Sequence, residues 1–364
     1  MGYSYRMPSA IAQRIERQLG FSGLVEALSK RLPPSDLQSL LIEVYRNRAD
    51  PVKEAGILAQ FGRDPLLAPS TADAREFLAF DSAAYEAAAE FAAVELSPVS
   101  PFGAAFALGG TSQNNVLTTI RNSEALGDST IALALEAARR RGSNGLVRLC
   151  ASHRVIRLQP FDVPGFSPHF RLFALVTGGR DTGNFRFEME QLLEHSRVYL
   201  RLFGLLPSSG FELQFPIVEF TDMNAVEETL AAAGVGRDEV RESIRAHRLG
   251  GSETFLRERG IALAQESRHP LLESGVIEPL RDEFPAARFR VNQQRLEGFG
   301  YYRAFALRLS VQAPDGNIYP IADGGFTDWT ARLLGNKKER LLISGIGSEL
   351  VCKIFKAGSI GPIA

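Results

Sequence analysis

The sequence predicts an α+β fold with a helical layer at its N-terminal end. Apolar residues recur at three- and four-residue spacing through the opening segment, strand-length apolar runs mix with helical ones after it, and the last third carries hairpin chemistry. At 364 residues and 45% hydrophobic side chains, the chain is long enough for one large domain or two ordinary ones, each with a buried core.

Residues 1–84 are expected to be helical. Val25, Leu28 and Leu32 mark one apolar stripe and Leu37, Leu40, Leu41 and Val44 another. Pro33-Pro34-Ser35-Asp36 separates them and offers Ser35 or Asp36 as an N-cap, and Asp50-Pro51 is expected to open the next helix. Residues 85–364 are expected to form the main α+β core. A helix is expected over Tyr85–Val94, followed by strands at Val147–Ala151 and His169–Val176. The charge-dense stretch of about 222–266, with Ala231-Ala232-Ala233, reads as an inserted helical unit solvated on most faces. Tyr301–Gln312 alternates apolar and polar residues, Asp315-Gly316-Asn317 supplies the turn, and Ile318–Ile321 returns. A helix over Phe326–Leu334, a strand at Leu341–Ser344 and a glycine-led helix over Gly345–Phe355 complete the expectation.

Lysines and arginines number 41 against 42 aspartates and glutamates, so no whole-molecule field is available to hold the phosphates of DNA. Cys150 and Cys352 stand alone, which indicates neither a disulfide framework nor a metal site. The opening segment, charged throughout, has no continuous apolar stretch, and a soluble cytoplasmic protein without a membrane span is expected.

Several stretches fall in an order that points to a family. Arg154-Val155-Ile156-Arg157-Leu158-Gln159, a loop through Pro164-Gly165, and His169-Phe170-Arg171-Leu172-Phe173 resemble the second motif of class II aminoacyl-tRNA synthetases. Ile131–Arg139, Gly298–Tyr302, Ala322–Asp328 and Ser344–Leu350 resemble, in turn, a substrate-binding segment, a paired-tyrosine strand, a glycine-rich turn and the third class II motif. Together they run from about Glu90 onward and are closest to the histidyl type. The resemblance implies an antiparallel sheet flanked by helices and a homodimer built on the first motif, near Val94, Pro98 and Pro101. It implies ATP with Mg2+ as cofactors. Arg157 would hold the α-phosphate and the carboxylate undergoing activation, with Phe173 stacked on adenine and Gln159, His169 and Glu349 completing the nucleotide site. Glu136 would act beside Arg157 and read the substrate together with Tyr301, Tyr302 and Asp323. The chemistry suits these types, since a guanidinium forks onto paired oxygens and an aromatic face takes a purine.

A polar cluster ahead of Glu136 adds Arg121 for an anion and Glu124 or Asp128 for an amine. The same residues also read as a solvated loop with a helix cap at Asp128 or Ser129. Arg157 alternatively forms a surface salt bridge, and His169 is as readily a satisfied, partly buried strand residue. Tyr301 and Tyr302, if on a strand, face opposite ways, so at most one enters a pocket.

Departures from the family pattern are as informative. Leu350 stands where the third motif carries an arginine, with Arg340 or Arg303 as candidate replacements, and Glu297 stands where an arginine precedes the paired tyrosines. The chain stops near the end of the core, so charging of tRNA is not expected. Two functions remain: ATP-dependent activation of a small carboxylate or amino acid as its adenylate, passed to a small acceptor or carrier, or a non-catalytic regulatory subunit similar to the histidyl-like partner of ATP phosphoribosyltransferase.

Overall fold

The computed structural model describes residues 9–141, 145–159, 167–237, 239–240, 242, 251–262 and 269–356. The expected loop at Pro164-Gly165 and much of the charge-dense stretch after Arg237 lie outside the described residues.

The described residues open with five α-helices, α1 (Ala10–Leu19), α2 (Leu24–Glu26, continued by a π-helical turn over Ala27–Arg31), α3 (Pro34–Ala49), α4 (Glu54–Phe61) and α5 (Ala74–Ala87). The first four bury no residue, whereas α5 buries Phe77, Phe80, Ala83, Ala84 and Ala87. Local chemistry sets their ends differently from the sequence expectation. Pro34 itself starts α3, and its fixed φ suits the first turn; Ser35 and Asp36 lie inside that turn rather than capping it. Asp50 closes α3, and α4 begins only at Glu54. The helix expected over Tyr85–Val94 instead ends at Ala87, and Ala92–Ala93 forms strand β1.

The described residues form ten strands: β1, β2 (Val99–Pro101), β3 (Ser123–Ala125), β4 (Val147–Ile156), β5 (His169–Arg180), β6 (Gln214–Asp222), β7 (Arg288–Val291), β8 (Arg303–Gln312), β9 (Ile318–Thr327) and β10 (Glu339–Ile346). Eight make one sheet in the order β1-β4-β5-β10-β9-β8-β6-β7, with β2 and β3 paired separately. Only the two edge pairs are parallel. The inner strands are antiparallel, and the fold is α+β.

The sheet separates two cores. On one face, α5, α8 (Arg186–Leu205) and the C-terminal helix Ser348–Ile354 pack over Phe173, Leu175 and Leu342. On the other, α7 (Ser129–Arg140) and the helix Trp329–Leu334 pack over Ala151, Ala174, Val176 and Ile343. α9 (Met223–Ala232) and α10 (Gly251–Glu258) are not merely solvated: Val226, Leu230, Phe255 and Leu256 form a third core with Leu296 and Phe299.

Between α8 and the sheet, His195 is fully buried, with Nε2 2.9 Å from Thr177 Oγ1 and Nδ1 2.8 Å from Ser344 Oγ, which also accepts from Tyr199 at 2.8 Å. Burial, helped by Arg148, lowers its pKa from 6.5 to about 3. The ring is neutral in the fold but protonates on unfolding below about pH 6.5. Its share of the stability is therefore complete above the unfolded pKa and falls as pH drops from 6.5 toward 3, by roughly 2 kcal/mol at pH 5. Urea unfolding at pH 7 and pH 5 should show this loss in the native chain. His195→Gln should remove one proton of uptake; an unchanged pH slope would place the acid sensitivity elsewhere.

Candidate functional site

Strand parity decides which side chains face the second core. In the ladder, Ala174 pairs with Gly345, Gly345 with Asp323, and Asp323 with Arg308. Cross-strand partners share a face. These small and charged residues lie beneath a cleft of about 910 Å³, walled by Asp128, Thr130 and Ile131 at the start of α7, by Arg157 and Gln159 beyond β4, and by Leu296–Tyr302.

At one end, Asp128 caps α7, with Oδ1 accepting from Thr130 N at 2.9 Å and Thr130 Oγ1 at 2.7 Å. Its other oxygen meets Arg157 Nη2 at 3.3 Å, while Arg157 Nε donates to Gly127 O at 2.7 Å. The Arg157 guanidinium also lies 5.2 Å from the Phe170 ring centre. Asp128 thus caps α7 with one carboxylate oxygen and meets Arg157 with the other. Arg157 is oriented by a backbone carbonyl rather than left to roam.

At the other end, Gly298–Tyr302 is not a strand. Positive φ at Gly298 (88°) and Gly300 (74°) folds it into turns, a conformation glycine adopts without steric cost. Both tyrosines therefore line the cleft, overturning the expectation that at most one does, and their rings meet edge to face at 5.0 Å. The Tyr302 ring rests on Gly325, where a β-carbon would stand 2.5 Å from it. Burial first, then Asp128 for Tyr301 and Asp323 for Tyr302, raises both phenol pKa values. The protonated Tyr302 hydroxyl donates to Asp323 Oδ2 at 3.3 Å.

Beneath them Arg295, 2% exposed, donates to Asp323 Oδ1, to Leu307 O at 3.0 Å and to Glu297 O at 3.2 Å. Its guanidinium lies 5.8 Å from the Tyr302 ring centre. One side chain thus ties the Leu296–Tyr302 loop to β8 and β9.

Of the individual residues singled out in the sequence, Asp128, Arg157, Gln159, Glu297, Tyr301, Tyr302 and Asp323 line this cleft. The others do not. Phe173 is fully buried among the α5 and α8 side chains and meets Tyr85 edge to face, because Leu172 and Ala174 take the cleft side of β5. Stacking on a ligand there is excluded. Glu136 lies eight residues beyond the cap, about 12 Å along the helix. It pairs with Arg139 at 2.7 Å and Arg140 at 2.6 Å, chiefly the Arg139 hydrogen bond holding its carboxyl at about 2. Glu124 is fully buried and accepts from Gly103 N at 2.8 Å and Ala105 N at 2.7 Å, fixing the start of α6 (Ala104–Gly109) rather than meeting an amine. Arg121 is exposed beside Asn122 and away from the cleft walls.

His169 faces a smaller depression, with Nε2 2.7 Å from Ala68 O and Nδ1 2.9 Å from Arg154. Glu349 is 2% exposed and shared among Ser70, Lys353, Arg154 and Arg171 N. Leu350 packs against the α5–α8 core. Neither suggested replacement arginine reaches the cleft: Arg340 pairs with Glu188 and Asp181, and Arg303 with Asp328. The second arginine lining the cleft is Arg308, partly buried like Arg157. Sequence reading missed both Arg308 and Arg295; an arginine on the cleft face of β8, two residues past Ala306, was findable once the strand's facing was known.

No family model matches the sequence, and no curated protein does. Among solved structures, the chain is similar to an ATP phosphoribosyltransferase regulatory subunit/histidyl-tRNA synthetase from Bacillus halodurans, at 11% identity over 76% of this chain and 78% of that one, with a TM-score of 0.56. A histidyl-tRNA synthetase from a Nostoc species matches at 13% identity over 79% and 73%, with a TM-score of 0.56. A histidine–tRNA ligase subunit from Alicyclobacillus acidocaldarius matches at 14% identity over 80% and 96%, with a TM-score of 0.57.

Proposed function

We propose, starting from a chain whose fold is that of the histidyl-type class II synthetase core, that it binds a small amino acid in the cleft without activating it, as a ligand-binding or regulatory subunit. The observation that carries this reading is a division within the site. The groups suited to an amino acid, Arg157 for its carboxylate and Asp128 for its amine, share the cleft with Tyr301, Tyr302 and Asp323. Phe173, expected to stack on adenine, belongs to the core, and Leu350, which stands in place of the third-motif arginine, packs against it. The side chains therefore fit ATP with Mg2+ only in part. The Bacillus halodurans protein carries a regulatory-subunit name on the same fold, and a partner protein, with a second copy of this chain, fits such a role. Among the described residues no helix is long and apolar enough to cross a membrane.

ATP-dependent carboxylate activation is the second reading, favoured by Arg157 and Gln159 standing together at the β4 end of the cleft. Calorimetric titration separates the two. The expected result is saturable binding of an L-amino acid, weakened about tenfold or more in Arg157→Ala through loss of a charged hydrogen bond, and no saturable heat with ATP and Mg2+. ATP binding that disappears in Arg157→Ala would overturn the proposal in favour of the ligase.

A further inference from the structure

On the face of the sheet that floors the cleft, three neighbouring strands place charged residues in one row: Glu219 on β6 pairs in register with Arg308 on β8, and Arg308 with Asp323 on β9, the last two lining the cleft and Glu219 lying just beyond it. Two of these already have close partners. Glu219 accepts from Arg290 at 2.8 Å and Asn292 at 2.9 Å, and Asp323 from Arg295. Among the described residues Arg308 is left with Glu297, and that contact is loose, with Nη2 3.5 Å from Oε2. A good charge-assisted hydrogen bond closes to about 2.8 Å. Both side chains keep part of their surface, 23% for Arg308 and 31% for Glu297.

From this row we infer that the Glu297–Arg308 pair reads the distal end of the ligand, and that this end is a neutral primary carboxamide. The inference rests on the amino-acid reading of the cleft. A carboxamide presents an acceptor oxygen and a donor N–H side by side, which matches a guanidinium and a carboxylate standing next to each other. A carboxylate in that place would satisfy Arg308 and repel Glu297; an ammonium would do the reverse. Charge balance points the same way. Arg290, Arg295 and Arg308 face Glu219, Asp323 and Glu297 one for one, so a charged group would leave one member unmatched in a partly desolvated cleft. The geometry is held for this purpose by Arg295, whose Nε fixes the Glu297 carbonyl at 3.2 Å.

The test is calorimetry on the full chain with L-glutamine, L-asparagine, L-glutamate, L-aspartate, L-lysine and L-leucine, repeated on Arg308→Gln and Glu297→Gln. One amide should bind about tenfold or more tighter than its own acid and than L-leucine, the size expected of hydrogen bonds to charged groups. Each variant should lose that margin while keeping residual binding of the amino-acid head, and circular dichroism reports whether it is folded. Glu297→Gln should lower the discrimination against the acid, because the repelling carboxylate is gone. Tighter binding of the acid, of lysine or of leucine, or an amide margin unchanged in folded variants, would overturn the inference while leaving an amino-acid cleft standing. Failure of every amino acid to bind would remove the cleft reading itself, and this inference with it.

Discussion

Gly324→Ala is expected to destabilise the chain by about 3 kcal/mol, or to prevent folding. A β-carbon at Gly324 would stand 2.6 Å from Ile343 O and 2.9 Å from Ser344 Cα. Backbone atoms of an adjacent central strand cannot swing aside as a flexible side chain would. Relief requires β9 and β10 to separate, which also moves Ser344 away from His195 and Tyr199. Gly345→Ala is the matched control: its nearest neighbour would be Phe173 O at 3.7 Å, an ordinary contact. Its cost should stay within about 1 kcal/mol. Urea denaturation of both variants checks the contrast, and equal midpoints would show that the sheet is more yielding than its packing indicates.

Arg295→Ala is expected to cost about 2–4 kcal/mol, because it leaves a cavity and strips donors from a buried carbonyl, a part-buried one and a carboxylate together. Leu307 O, Glu297 O and Asp323 Oδ1 all accept from this one guanidinium. Arg295→Lys should recover little, since a single ammonium lacks the planar fork that reaches three acceptors. The same variant should blunt the near-ultraviolet circular dichroism of the tyrosines, since Tyr302 is held partly by the Arg295 guanidinium and partly by Asp323. Full retention of both stability and the aromatic signal would show that the loop is held by something else.

What the sequence made legible follows the range of the interactions involved. The β8–β9 hairpin was readable because Asp315, Gly316 and Asn317 build their turn from their own neighbours, Asp315 Oδ1 accepting from Asn317 N at 2.8 Å. The synthetase-like order of elements was readable because several short stretches fell in sequence together. The facing of β5 was not, since it depends on pairing with β10, far along the chain. A one-residue difference in facing exchanged the roles of Phe173 and its neighbours Leu172 and Ala174. Glu136 was placed in the site by likeness of segment, yet helix rotation and rise carry it to the arginine-lined outside of α7. Arg295 announced itself by no spacing rule, because its partners lie on strands 12 and 28 residues further on. The turn at Gly298 and Gly300 was hidden by the alternating pattern of the strand that follows it.

The pairing of Arg290, Arg308 and Arg295 with Glu219, Glu297 and Asp323 bears on time as much as on affinity. Opposite charges set against each other at short range cancel beyond a few ångströms, so the cleft floor projects almost no field into solvent. A small ligand receives no electrostatic guidance toward it, and added salt has little long-range attraction to screen. Arrival is then governed by diffusion and the width of the opening, and whatever selectivity the cleft has is expressed in how long each visitor stays.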